Sequence, residues 1–203
     1  MQTCPEHRDV MAIPQSQGYL EIIIGPMYSG KTSRLLTVYK QMRVCDVGVL
    51  VVNFVEDKRY SETMMATHDR AEIPCVFVER LSDLERRPQY KEKLDGARAV
   101  LINEGQFFAD LYEKVAYFVE TMRKQVYVCG LDGDYMRKPF GDLLTLIPLA
   151  DNVIKLRSLC RRCKDGTPAL FSHRIKQDVK EQKLIGSDAY TPVCRKCYQA
   201  FNT

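Results

Sequence analysis

Gly25-Pro26-Met27-Tyr28-Ser29-Gly30-Lys31-Thr32 satisfies the pattern G-x-x-x-x-G-K-[ST] at every defined position. Upstream stands Tyr19-Leu20-Glu21-Ile22-Ile23-Ile24, a β-branched apolar run of strand length. Downstream, Leu35, Leu36, Val38 and Tyr39 recur at helical spacing in Ser33 to Lys40. Strand, glycine loop and helix is the context in which this pattern has a physical meaning. The glycines let backbone N–H groups turn inward around phosphate oxygens, and the following helix aims its positive end at them. Lys31 would then reach the outer phosphates, and the Thr32 hydroxyl would help to hold Mg²⁺. A plain turn carrying a lysine is the bland alternative, and eight spaced positions with both flanks correct weigh against it. The stretch predicts nucleoside triphosphate binding by residues 25–32.

The rest of the chain repeats the same alternation. Gly48 to Phe54, Pro74 to Val78, Ala99 to Ile102 and Gln125 to Gly130 read as further strands, several of them continuous apolar runs that suit burial on both faces. Between them, residues 81–94 and the series Leu111, Val115, Phe118, Met122 have helical spacing. The expected fold is α/β, a P-loop (RecA-like) parallel sheet with helices on both faces, its functional groups at the C-terminal ends of the strands. Residues 1–17 lack apolar periodicity and read as a flexible leader. The nucleotide-binding domain is expected over 18–150, with a small C-terminal zinc-ribbon domain over 151–203.

Composition agrees with a globular protein: 45% hydrophobic and 28% charged residues in a chain of 203. No apolar run is long enough to span a membrane and no signal core opens the chain, so a cytosolic location is the default expectation. The net charge of +4 is uneven. From Asp151 onward 11 Lys/Arg face 5 Asp/Glu, whereas the first 150 residues carry 19 against 21. A basic tail suits nucleic acid, but it equally suits thiolates or a polyphosphate. The cysteines favour the second. Cys4, Cys45, Cys75 and Cys129 are isolated, and Cys45, Cys75 and Cys129, in or beside apolar runs, read as small core residues. Cys160-Arg161-Arg162-Cys163 and Cys194-Arg195-Lys196-Cys197 are paired C-x₂-C knuckles that can close a tetrahedral Cys₄ zinc site, structural because no coordination position stays open.

Two strand ends carry further chemistry. Asn103-Glu104 follows the buried run Ala99 to Ile102, which places Glu104 where a general base would take a proton from a hydroxyl attacking the γ-phosphate. Asp57-Lys58-Arg59 follows the second strand, where an arginine could stabilise charge on the transferring phosphoryl group.

These pieces occur together with Thr67-His68-Asp69-Arg70, with Glu104-Gly105-Gln106-Phe107-Phe108 and with Leu131-Asp132-Gly133-Asp134-Tyr135-Met136-Arg137-Lys138-Pro139-Phe140-Gly141. Leu184 to Tyr190 then leads into the second cysteine pair. In this order, from Gly18 to Phe201, the chain resembles the type II thymidine kinases, the cytosolic, human-like group. The resemblance implies ATP-dependent, Mg²⁺-dependent phosphorylation of the 5′-hydroxyl of thymidine, and deoxyuridine as a second substrate. Residue by residue it implies Glu104 as catalytic base, and ATP contacts from Gly25 to Thr32, Asp57, Lys58, Arg59, Asn103, Glu104, Gly105 and Gln106. It implies a nucleoside pocket of Met27, Phe107, Leu131, Tyr135, Phe140, Ser172 and Tyr190. A lasso loop on the zinc domain closes over the base through Gln182, Lys183, Leu184, Ile185 and Gly186. Cys160, Cys163, Cys194 and Cys197 match the zinc ligands. A homotetramer and inhibition by thymidine triphosphate are also implied, with no nucleic-acid or membrane partner.

The residues by themselves are compatible with that pocket. Met27, Leu131 and Tyr190 could meet a thymine methyl, and Tyr135 and Phe140 offer flat faces. The chain departs from the family pattern at Asn103, where an aspartate is usual, and in a lasso one residue shorter. An asparagine keeps a carbonyl acceptor but loses the charge, so a raised Mg²⁺ requirement is expected. Three other readings are compatible with parts of the sequence: a nucleoside monophosphate kinase, a nucleic-acid-binding ATPase and a non-catalytic kinase-like domain.

Overall fold

The computed structural model describes residues 17–56, 64–66, 72–175 and 189–201. The expected leader, apart from Gln17, therefore lies outside the described residues, as do Asp57, Lys58, Arg59 and Gln182 to Gly186.

The chain runs β1 (Tyr19–Ile24), α1 (Lys31–Val44), β2 (Val49–Phe54), β3 (Met64–Ala66), β4 (Glu72–Pro74), β5 (Val76–Val78), α2 (Asp83–Arg86), α3 (Pro88–Gly96) and β6 (Ala99–Ile102). It continues through a 3₁₀ turn (Gly105–Phe107), α4 (Leu111–Ala116), a π-helical turn (Tyr117–Thr121) and β7 (Gln125–Gly130). A second 3₁₀ stretch (Leu143–Leu149) leads to β8 (Asn152–Lys155). The last part holds β9 (Ser158–Leu159), β10 (Pro168–Ala169), β11 (Phe171–Arg174), β12 (Tyr190–Val193) and α5 (Arg195–Phe201).

Six strands form one sheet in the order β5-β2-β6-β7-β1-β8, every pair parallel. The side-chain period of two divides each central strand between two cores. Leu20, Ile22 and Ile24 of β1 join Val100 and Ile102 of β6 and Val126 and Val128 of β7 on one face, under Leu84, Leu94, Leu111 and Val115 from α2, α3 and α4. Ile23, Val51, Leu101 and Cys129 face the other way, under Leu35, Leu36 and Val38 of α1. This is the expected α/β sheet with helices on both faces. Parallel strands covered twice leave their ends, where side chains and loops emerge, as the place for chemistry.

The sheet also reaches past position 150. Asn152 to Lys155 pairs in register with Glu21 to Ile24 as the edge strand. Its residues are mostly exposed, so the stretch lacks the apolar run that announces a buried strand. Two other expectations change in detail. Residues 81–94 form two short helices separated at Arg87, because Pro88 bars its predecessor from the helical region and opens α3 at its first position. The helix through Leu111 switches to the π-helical turn at Tyr117.

Beyond β8, the described residues build two small antiparallel pairs, β9–β10 and β11–β12, which together with α5 make up the ribbon. Their buried cluster is small: Cys160, Ala169, Val193, Cys194, Cys197 and Tyr198.

Candidate active site and cysteine centre

The phosphate loop follows β1, the middle member of β7-β1-β8. Gly25 (φ 149°) and Gly30 (φ 84°) hold backbone angles that side chains resist, and a Cβ at Gly25 would lie 2.6 Å from the Leu156 carbonyl oxygen. Tyr28 is also left-handed, at φ 61°. The first turn of α1 carries no acidic residue to neutralise its positive end. Lys31 Nζ donates to the Pro26 carbonyl at 2.8 Å, so the ammonium lies across the loop. The Ser29 hydroxyl is buried with no partner among the described residues. Left-handed glycines, an ammonium and a buried hydroxyl at the positive end of α1 are the parts of an anion cradle.

Glu104 follows the end of β6, and with β7 between β6 and β1 the strands that lead to Glu104 and to the phosphate loop are two strand spacings, about 10 Å, apart. Its backbone is left-handed (φ 54°, ψ 43°), a conformation that a glutamate adopts at a cost and that sites commonly retain. Phe107 N–H donates to the Glu104 carbonyl at 3.1 Å and closes the turn. The carboxylate Oε2 accepts a 2.6 Å hydrogen bond from Gln106 Nε2, and Gln106 Oε1 accepts from Leu131 N–H at 3.0 Å.

Asn103 is 3% exposed and spends both ends of its amide inside the sheet. Its Nδ2 donates to Asn53 Oδ1 at 3.0 Å, and its Oδ1 accepts from the Cys129 thiol at 3.0 Å. Asn53 Oδ1 also accepts from Phe54 N–H. The side chain therefore braces the ends of β2, β6 and β7 with a neutral network. Of the isolated cysteines, Cys129 is buried as expected and Cys75 is half-buried, whereas Cys45 is exposed at the C-cap of α1, where the helix leaves the sheet. Cys4 lies outside the described residues.

Of the residues assigned to a nucleoside pocket, Met27, Tyr135, Ser172 and Tyr190 meet across the junction of sheet and ribbon, whereas Phe107, Leu131 and Phe140 lie on the sheet side. Met27 N–H donates to Ser172 Oγ at 2.9 Å. Phe107 and Phe140 meet edge to face at 5.4 Å. Tyr135 and Tyr190 are joined by Arg174, whose guanidinium lies 3.9 Å over the Tyr135 ring and donates to the Tyr190 hydroxyl at 2.9 Å. Arg174 itself is 4% exposed. Sequence reading did not single it out, although alternation along β11 places it on the same face as Ser172. Tyr198 ties the ribbon down by donating to the Tyr135 carbonyl at 2.7 Å, and Arg161 of the first knuckle lies 4.5 Å over the Tyr28 ring.

The ribbon draws the four paired cysteines together, with all four sulfurs within 4.8 Å of one another. Cys163 Sγ is 3.8 Å from Cys194 Sγ and 3.5 Å from Cys197 Sγ. Ligands about 2.3 Å from a tetrahedral zinc stand about 3.8 Å apart, so the geometry and the all-sulfur donor set fit the metal. Burial works against ionising Cys160, yet backbone N–H groups of Cys163, Cys194 and Arg162 outweigh it and bring that thiol down to about 6. Cys160 N–H in turn donates to Thr167 O at 2.8 Å, and Arg161 N–H to Pro192 O at 3.1 Å, so the first knuckle is fastened both to the residue that precedes β10 and to β12.

Among the described residues, no helix is long and apolar enough to cross a membrane. The family model for thymidine kinase matches residues 18–198. The chain is 36% identical over 185 residues to the thymidine kinase of Yaba monkey tumor virus (strain VR587), covering 91% of this chain and 97% of that protein. It is 36% identical over 185 residues to the cytosolic thymidine kinase of Gallus gallus, covering 90% of this chain and 77% of the other. Against the cytosolic thymidine kinase of Homo sapiens it is 35% identical over 187 residues, covering 91% and 74%. Phosphate loop, strand-end glutamate, cysteine centre and the match along nearly the whole length agree, and the chain belongs to the thymidine kinase family of ATP-dependent kinases.

Proposed function

We propose that the chain transfers the γ-phosphoryl group of ATP to the 5′-hydroxyl of thymidine, giving thymidine monophosphate, with Glu104 as general base. The observation that carries this reading is the placement of Glu104 and the phosphate loop at the C-terminal ends of two strands separated only by β7. A γ-phosphate cradled by residues 25–32 and a hydroxyl beside Glu104 would then approach each other across that gap. In the transfer, the 5′-oxygen forms the bond to phosphorus, the bond to the β-phosphate oxygen breaks, and the hydroxyl proton passes to the Glu104 carboxylate. The backbone N–H groups and Lys31 bind the phosphates, and Thr32 with the phosphate oxygens would hold Mg²⁺, which neutralises charge on the transferring group.

Thymidine would lie against Met27, Phe107, Leu131, Tyr135, Phe140, Ser172 and Tyr190. Gln182 to Gly186 complete the pocket by family resemblance, as do Asp57, Lys58 and Arg59 on the nucleotide side. Cys160, Cys163, Cys194 and Cys197 would hold a structural zinc that fixes the ribbon and hence Ser172 and Tyr190. Deoxyuridine as a second substrate, inhibition by thymidine triphosphate, a homotetramer and a cytosolic location belong to the same reading.

ATP-dependent phosphorylation of a nucleoside panel tests the substrate, with thymidine expected to lead. Glu104→Gln keeps the size of the side chain but cannot take the proton, and loss of a general base lowers turnover by about 10²–10⁴-fold. ATP binding should survive it. Near-normal turnover in Glu104→Gln would place the base elsewhere.

A further inference from the structure

Given Glu104 as the base, we infer that Gln106 is the positioning residue for its carboxylate and not a contact to the nucleotide. Both ends of its amide are engaged within the protein: Nε2 donates to Glu104 Oε2 at 2.6 Å and Oε1 accepts from Leu131 N–H at 3.0 Å. Chemistry settles which end is which. A backbone N–H can only donate, so the amide oxygen must face Leu131, and the NH₂ is thereby turned to the carboxylate. A hydrogen bond to an ionised acceptor is short and strong, and it restricts a side chain that would otherwise sample several rotamers.

Gln106 has little freedom to leave this arrangement. It is 4% exposed. A Cβ on Gly130 would come within 2.3 Å of its Oε1, and one on Gly141 within 2.2 Å of its backbone oxygen. Gly130 thus leaves room for the side chain and Gly141 for its backbone. Gly141 also needs its φ of +55°, which glycine adopts without strain.

The second partner gives the arrangement its meaning. Leu131 opens the loop that carries Tyr135 and Phe140, two of the residues assigned to the nucleoside wall. One buried amide therefore spans from that wall to the base. Displacing the wall by a fraction of an ångström would be passed to the Glu104 carboxylate through two hydrogen bonds. The amide sets the direction of the base relative to the loop that holds the nucleoside.

The test compares Glu104→Gln, Gln106→Leu and Gln106→Glu by steady-state kinetics with thymidine and MgATP, alongside ATP affinity by calorimetry. Gln106→Leu removes both hydrogen bonds at similar size. Gln106→Glu keeps the acceptor for Leu131 but sets a second carboxylate against Glu104, and its near-identical shape keeps the question answerable if the leucine variant does not fold. Misplacing a reacting group by about 1 Å can cost about 10²-fold, so kcat should fall by roughly 10–100-fold in both variants, with both KM values within about twofold of wild type. A raised KM for ATP at unchanged kcat would make Gln106 a nucleotide contact and overturn the inference. Normal kcat in both Gln106 variants with an inactive Glu104→Gln would overturn the positioning role alone. An active Glu104→Gln would instead overturn the reading of the base itself.

Discussion

Every residue of β6, Ala99 to Ile102, is fully buried between two layers of helices, whereas Leu159 in the ribbon is 64% exposed and half of the ribbon's buried cluster consists of cysteines. The sheet holds its functional ends in place with apolar side chains drawn from all its central strands. Among the described residues the ribbon has two short strand pairs and one seven-residue helix, too little apolar surface to offset the entropy of ordering them. Two regions of one chain thus stand on different physics: solvent exclusion supports the phosphate loop and Glu104, and sulfur coordination would support Ser172, Arg174 and Tyr190. The junction between them is polar and aromatic, made by Met27–Ser172, Tyr135–Tyr198, Tyr135–Arg174 and Tyr28–Arg161.

Removing the metal should produce the largest separation between the two regions. Zinc binding of this kind contributes about 10–16 kcal/mol in small domains, far more than the ribbon's own packing. Chelation, or Cys160→Ser, is expected to melt the ribbon and weaken thymidine binding more than ATP binding, while most far-UV circular dichroism persists. A single transition that takes the sheet down with the ribbon would abolish the distinction. So would metal analysis showing no zinc in pure, active protein.

A change inside the sheet should act the other way. Asn103→Asp replaces the Nδ2 donor with an acceptor facing Asn53 Oδ1, in a site 3% exposed. Leaving buried polar groups mismatched costs about 1–3 kcal/mol, so the sheet should melt earlier while the ribbon's metal affinity stays constant. An unchanged melting temperature would show that the Asn53 amide turns to donate. Activity of the unmodified protein at saturating Mg²⁺ is expected, and inertness there would favour the non-catalytic reading.

The junction is tested by Ser172→Ala, which removes the acceptor of Met27 N–H. One lost hydrogen bond of about 1 kcal/mol corresponds to a several-fold rise in the KM for ATP, with kcat little changed. No change in either substrate's KM would mean that the ribbon does not steady the phosphate loop through this contact.

The smallest effect concerns His173, which is stacked on Phe201 at 4.3 Å and held below the ordinary imidazole value by burial. The folded state therefore favours the neutral ring. Its stabilising contribution is complete above the unfolded value of 6.5 and is lost as pH falls below it toward the folded value. Thermal melts of the ribbon should weaken below that pH, and His173→Phe, which keeps a ring in the stack, should flatten the dependence. Equal slopes in the two proteins would remove His173 as the source.

Much of this molecule was legible before any coordinates. The phosphate loop, the buried strands and the paired cysteines are local patterns: a glycine where only glycine fits, an apolar run buried on both faces, two thiols on one tight turn. What lay beyond them was long-range. The edge strand Asn152 to Lys155 is too exposed to declare itself, and it belongs to the sheet only because β1 offers a free edge. Cys45, beside an apolar run, turned out exposed because α1 ends there. The Asn53–Asn103–Cys129 brace joins residues 50 and 26 positions apart, the Gln106 amide reaches 25 positions to Leu131, and Arg174 meets Tyr135 across the junction of sheet and ribbon. Sequence by itself determined which backbone conformations and which ligand types were available, because those depend on a few neighbouring residues. Only the tertiary structure decided which side chain faces which, because hydrogen-bond partners are chosen among groups that strand order, and not chain order, brings together.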